Sequence, residues 1–238
     1  MVSRHSQKQT VVWERLSDGI LLSGLGASLL FFGGRHPWGH AALMLGGLLA
    51  AGLIVVGRII HNQGRIHRTG AGWLLLGGAS IPLLQMIPLP EAWLSFLAPQ
   101  LKHILPAWNH GTTASLLGGW HCLSLAPEET RVALSLWLAY SLIFFYTVQR
   151  IEDIGDVERV LRWLVPIIIA LSIVGLLQYL FSNNKFLWLY AHPFTKTSDA
   201  VKAVFTNRNH FASLVALSAG PLLWWYLADR RFVKKHRS

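Results

Sequence analysis

Near the end of the chain, the run Val204-Phe205-Thr206-Asn207-Arg208-Asn209-His210-Phe211-Ala212 places a guanidinium, an imidazole and two carboxamides at the entrance to the last long apolar segment. Charged groups cost about 2.5 kcal/mol or more at membrane depth, so such a cluster at the edge of a hydrophobic span marks a candidate site. With Thr206 or Asn207 as the cap of a helix, Arg208, Asn209 and His210 fall in its first turn, where free backbone N–H groups point outward. A cation is disfavoured there by roughly 0.3 to 1 kcal/mol unless an anion is shared between it and the positive end of the helix dipole. Arg offers a planar fork to phosphate, His can donate to an oxygen or move a proton, and the helix N-terminus itself attracts anions. A phosphate or pyrophosphate headgroup satisfies all three. An interfacial anchor accounts for the same residues, with Arg208 reaching to lipid headgroups and His210 taking no part. On physical grounds alone both readings stand.

The elements that must position this cluster are membrane helices. The chain has 238 residues, 53% hydrophobic and only 13% charged, with eleven Trp, and describes a polypeptide meant for lipid. Its net charge of +10 would suggest nucleic acid in a soluble protein. Here the basic residues sit in short stretches between apolar runs, where they set topology, so nucleic acid is not an expected partner. The single cysteine, Cys122, has no partner for an intrachain disulfide or a metal site. His103, His110 and His121 have spacings of seven and eleven that match no metal-ligand pattern, and no metal is expected.

Runs of about 20 apolar residues predict an all-α polytopic protein with about six transmembrane helices, at roughly 18–34, 38–60, 71–87, 130–148, 160–181 and 207–228. There is no internal repeat and no linker to a soluble domain, so residues 1–238 read as one membrane domain. The first span lacks a small-x-small cleavage site before the Gly33-Gly34-Arg35 turn and is kept as a helix. Gly24, Ser28, Gly47 and Ala51 form small-xxx-small pairs expected to allow close helix packing. Gln85 and Gln178 stand near the outer ends of the third and fifth spans. They are expected either to bond between helices or to form a polar wall beneath an outward-facing cavity.

Lys and Arg set the orientation. The N-terminal segment with Arg4, Lys8 and Arg15, the segments holding Arg58, Arg65, Arg68, Arg150, Arg159 and Arg162, and the C-terminal basic run outnumber the basic residues on the other side. Both termini are therefore expected in the cytoplasm. The Asn-Arg-Asn-His cluster and two long loops, about 88–129 and 182–206, then lie outside, and Lys185, Lys196 and Lys202 of the second loop add positive potential there. The first loop opens with Pro90-Glu91-Ala92-Trp93-Leu94-Ser95-Phe96-Leu97-Ala98-Pro99, read as a short helix lying on the membrane. Glu128 and Glu129 after Pro127 suit the positive end of the fourth helix.

Thr206-Asn207-Arg208-Asn209-His210-Phe211-Ala212 opening a helix resembles the signature of the O-antigen ligase and polymerase family, bacterial membrane glycosyltransferases that use undecaprenyl-diphosphate-linked glycans. Other stretches agree in order: Ile87-Pro88-Leu89-Pro90 before a surface helix, Leu123-Ser124-Leu125-Ala126-Pro127 before another, and Gly175-Leu176-Leu177-Gln178 at the end of a third. The resemblance covers roughly Ile81 to Trp225. It implies a metal-independent inverting glycosyltransferase without cofactor, placed in the bacterial inner membrane and serving lipopolysaccharide or exopolysaccharide synthesis. Periplasmic Arg and His residues would handle the diphosphate. Asn207, Arg208, Asn209, His210 and Gln178 are the substrate-binding residues it suggests here, while the catalytic residues stay unassigned.

Family members carry about twice as many helices, with a large periplasmic loop in the second half, whereas this sequence stops soon after its sixth span. The expectation is a truncated or split ligase-like protein whose catalysis needs a second polypeptide. The alternatives are a non-catalytic subunit that binds the lipid carrier, and a small-solute transporter of bicarbonate type. The transporter has the least support, since the spans show no inverted repeat and no acidic residue at the bilayer centre.

Overall fold

The computed structural model describes residues 4–60, 66–100 and 122–235, with side chains between 12 and 227. Arg65, Lys102, His103, His110 and His121 lie outside the described residues, as do the side chains of Arg4, Lys8 and the C-terminal basic run. Among the described residues there are seven α-helices and one isolated antiparallel bridge, Phe186 with Tyr190. The helices are α1 (Arg4–Leu30), α2 (Pro37–Ile60), α3 (Ala71–Met86), α4 (Glu91–Leu97), α5 (Pro127–Arg150), α6 (Ile154–Leu180) and α7 (Arg208–Lys235). α2, α5 and α6 are long and apolar enough to cross a bilayer, and α3, with 16 residues, is a shorter apolar helix. The protein is an all-helical membrane protein.

Two compact units divide the chain, Met1–His67 with Leu142–Ser238, and Arg68–Ser141. In the first, α1 and α2 form the most extensive helix pair. Small residues set its closeness: a Cβ on Gly24 would lie 2.9 Å from the Gly46 Cα and 3.0 Å from the Ala42 carbonyl oxygen, so the backbones touch there. Gly46 is the residue of α2 that meets Gly24, and the buried face of α2 also carries Gly47 and Ala51 of the expected small-residue pair, with Gly39, Leu43, Ala50, Ile54 and Gly57. Phe32, Gly33 and Gly34 all have positive φ in the turn that ends α1, and the Gly33 N–H closes the helix on the Leu29 carbonyl.

Several helices extend beyond their apolar runs because polar caps, invisible to a hydropathy window, continue them. α6 starts six residues before the expected 160, with the Asp153 carboxylate accepting from the Asp156 N–H at 2.9 Å. α5 begins at Pro127 with Glu128 and Glu129 in its first turn. Where α1, α5 and α6 carry charges at one end of the first unit, the Arg150 guanidinium is buried. It donates to both Asp18 oxygens at 3.1 Å and to Asp156 at 3.0 Å, and the Tyr146 hydroxyl also donates to Asp18. Beside it the Arg58 guanidinium donates to the Gln149 side chain and carbonyl, and Gln149 exchanges two hydrogen bonds with the His67 backbone. These buried ions are paired, as burial demands.

In the second unit α3 exposes nearly all of its large side chains, Trp73 at 79% among them, the mark of a helix whose surroundings are apolar. Gly78 leaves room for the Trp137 ring, whose indole N–H donates to the Leu75 carbonyl at 2.9 Å. α4 buries Leu94 against Leu89, Ala98 and Leu123, while Trp93, Phe96 and Leu97, three and four residues apart, form an exposed apolar face. Gln85 is exposed at the end of α3, and its backbone carbonyl accepts from the Ser124 N–H.

Candidate functional site

A cavity of about 610 Å³ opens at the start of α7, within the first unit. Its walls come from three segments distant in sequence: Arg35 from the α1–α2 turn; His192, Phe194, Thr195, Asp199 and Lys202 from the loop after α6; and Thr206, Asn207 and Arg208 at the entrance of α7.

Asn207 is the cap. Its side-chain oxygen accepts from the Asn209 N–H at 2.8 Å, which makes Arg208 the first helical residue. Arg208 lines the cavity from an exposed position and makes no hydrogen bond or ion pair among the described residues. Arg35 is likewise exposed and unengaged among them. Lys202 differs: its buried ammonium donates to the Lys196 carbonyl at 2.8 Å and pairs with Asp199 at 2.7 Å. That hydrogen bond holds the Asp199 carboxyl below the usual carboxylate range. The only cavity-lining carboxylate among the described residues is thus matched by one lysine, and two guanidiniums remain without a counter-charge. Positive potential focused in a concave site attracts anions.

The imidazole of this cavity is His192. Phe32, Phe186, Tyr190 and Phe194 surround its ring with centroids 5.9 to 6.3 Å away. Its Nδ1 accepts from the Phe194 N–H at 3.2 Å, so the neutral ring carries its proton on Nε2 and is a donor there. The hydroxyl oxygen of Thr195 is buried and has no hydrogen-bond partner among the described residues. Thr195 belongs to the cavity lining, with its hydroxyl turned away from the accessible surface.

The loop that carries these groups is held in an unfavourable backbone conformation. Leu187 and Trp188 both have positive φ, as does Ala203, and such conformations cost about 1 to 3 kcal/mol each for residues other than glycine. Gln178 opposes that cost. Its carboxamide oxygen accepts from the Leu187 N–H at 2.7 Å and its nitrogen donates to the Ala203 carbonyl at 2.9 Å. One turn earlier, a Cβ on Gly175 would sit 3.1 Å from the Ala203 backbone nitrogen, so glycine there lets the loop seat on α6. Asn183 and Trp188 complete the clasp, donating to the Trp188 and Phe181 carbonyls. On the other side Phe205 lies over Gly33, where an added Cβ would fall 2.2 Å from its ring. This contact brings the Arg35 turn to the mouth of α7.

Of the residues expected from sequence, Asn207 and Arg208 face the cavity, Asn209 and His210 are exposed on the first turn outside its lining, and Gln178 is buried behind it as the clasp of the loop. Arg35, His192 and Thr195 carry no motif of their own. Their one signal is shared placement on the side to which the Lys and Arg pattern assigns the cluster. Comparison with protein-family models, with curated proteins and with solved structures yields no match to this chain.

Proposed function

We propose that the protein is an O-antigen ligase or polymerase-like component of cell-envelope or exopolysaccharide assembly that binds an undecaprenyl-diphosphate-linked glycan in the cavity at the start of α7. The observation that carries this reading is the pair of guanidiniums, Arg35 and Arg208, which line one cavity with no counter-charge of their own while Asp199 is spent on Lys202. A diphosphate supplies the missing negative charge, can accept forked hydrogen bonds from both Arg side chains, and meets the positive end of α7. His192, in the lining of the same cavity, adds a donor through its Nε2–H.

The arrangement favours binding over base catalysis. A general base needs a free lone pair beside the reacting hydroxyl. Here Asp199 is paired with Lys202 and the Nδ1 lone pair of His192 is occupied by the Phe194 N–H. Transfer of the glycan would draw its base from elsewhere, and a second polypeptide is the source we infer. In the topology that goes with this reading, about six helices cross a bacterial inner membrane, both termini are cytoplasmic and the cavity faces the periplasm. Its support is the Lys and Arg distribution, together with the meeting of the α1–α2 turn, the loop after α6 and the start of α7 at one place.

Equilibrium binding of undecaprenyl diphosphate to the purified protein in nanodiscs tests the proposal, with undecaprenol as the uncharged control. Hydrogen bonds to charged groups contribute about 1.5 to 3 kcal/mol, so Arg208→Ala and Arg35→Ala are each expected to weaken binding by roughly ten- to a hundredfold. His210→Ala is expected to leave it within a factor of about two, since that ring stands outside the cavity. Equal affinity of wild type and Arg208→Ala for the diphosphate would return Arg208 to the role of a lipid anchor.

A further inference from the structure

At the opposite end of the first unit, where the buried Arg150 lies, a second cavity of about 660 Å³ opens between α1 and α6. Its walls are of two kinds. Arg15, Asp18 and Arg159 are charged, while Leu22, Trp163 and Ile167 are apolar. The charges do not cancel in place. Both Asp18 oxygens accept from the Arg150 guanidinium at 3.1 Å, and the Tyr146 hydroxyl donates to one of them, so this carboxylate is directed at the buried network. Asp156 is divided between Arg150 and Arg159, at 3.0 Å from each, and Glu14 approaches Arg150 at 3.8 Å. Arg150 therefore takes the acidic groups that could have neutralised the cavity. Arg15 makes no ion pair among the described residues, and Arg159 is left with a half-share of one carboxylate.

The apolar wall decides what kind of anion fits. Leu22 and Ile167 continue the cavity toward the middle of their helices, and Trp163, 60% exposed, has the amphipathic ring that favours the headgroup level of a bilayer. A soluble phosphate would meet the two guanidiniums and leave this wall bare. A molecule with an anionic head and an acyl tail covers both, and basic pockets between membrane helices hold such lipids. We propose that this cavity is a binding site for one anionic glycerophospholipid, its phosphodiester on Arg15 and Arg159 and an acyl chain along Leu22 and Ile167.

Native mass spectrometry of the full chain, extracted from bilayers of equal phosphatidylglycerol and phosphatidylcholine, reads the site directly. Wild type is expected to retain one phosphatidylglycerol at least tenfold over phosphatidylcholine. The double variant Arg15→Gln/Arg159→Gln is expected to lose that preference, and Arg15→Lys/Arg159→Lys to recover most of it. Leu22→Trp, which fills the apolar part and keeps every charge, is expected to lose the bound lipid as well, and it decides the matter where the double glutamine variant fails to fold. Equal retention of the two lipids by wild type, or unchanged retention in Leu22→Trp, overturns the assignment.

Discussion

Replacing Gln178 by Leu keeps the volume of the side chain and removes its polar end, so it isolates what the carboxamide does for the loop after α6. Two backbone groups lose their partners, the Leu187 N–H and the Ala203 carbonyl. A buried group left unsatisfied costs about 1 to 3 kcal/mol, which puts the combined loss at about 2 to 6 kcal/mol. Relaxation adds to the effect, because Leu187, Trp188 and Ala203 hold positive φ values of 48°, 61° and 49° and recover strain when the loop leaves α6. The loop therefore opens by local release while the helices stay packed. Amide hydrogen exchange by mass spectrometry on peptides covering 182–206 measures this opening, with Leu176→Ala, an exposed position on the same helix, as the control. At the lower bound of 2 kcal/mol, exchange at Leu187 accelerates roughly thirtyfold in Gln178→Leu and is unchanged in the control. Tryptic cleavage at Lys185 and Lys196 should quicken in parallel. Wild-type exchange at Leu187 in the Leu variant would refute the clasp and, with it, the positioning of His192 and Thr195 by α6.

The other expectations concern the packing that holds the site. Gly46→Leu introduces a side chain where a Cβ would lie 2.9 Å from the Gly24 Cα. It should lower stability by about 1 to 3 kcal/mol in reversible unfolding from mixed micelles, and an unchanged unfolding midpoint would contradict the backbone contact. Asp18→Asn weakens three hydrogen bonds to this side chain, two of them from Arg150, while leaving Asp156 in place, so a loss of about 1 to 3 kcal/mol is expected. Thermal unfolding in detergent measures it, and full stability in Asn would show that Asp156 alone satisfies the arginine. The Lys202 partner depresses the Asp199 carboxyl, so this pair contributes above the unfolded value of about 3.9 and is lost as pH falls through the lower folded value. Intrinsic-rate-corrected protection of residues 196–203 should stay flat in this respect from pH 5 to 8 and decline only below about pH 4. A decline beginning near neutral pH would assign the loop's stability to another group.

Hydropathy located the apolar middles of the helices because lipid-facing segments are apolar on nearly every side, as α3 is. It placed their ends poorly. The charged residues that extend α6 back to Ile154 and α5 back to Pro127 act as caps and first-turn anions, and a window that scores only hydrophobicity treats them as loop. The Gly24 pairing illustrates a finer limit. Small residues at 46, 47, 50 and 51 are all buried and all permit close approach, and only the placement of the α1 backbone against α2 shows that Gly46 is the one that meets Gly24.

The site shows the same division between what one segment encodes and what several segments build together. Asn207 and Arg208 were legible because a cap followed by a cation breaks a local rule, and both meet the cavity. His210 obeyed the same local logic, yet on a helix the third residue of the first turn points about 200° away from the first, since each residue turns about 100°. Spacing alone separates it from Arg208. Arg35 was illegible for the opposite reason: it lies far away in sequence, and nothing near it predicts that Phe205 will pack over Gly33 and carry the turn to α7. His192 and Thr195 depend on a loop whose conformation is unfavourable in isolation and is imposed by Gln178 and Gly175 from α6. A glutamine buried in an apolar helix therefore points to a cavity at one remove: its carboxamide marks where a strained loop is tied down, and the groups lining the cavity are found on what it ties.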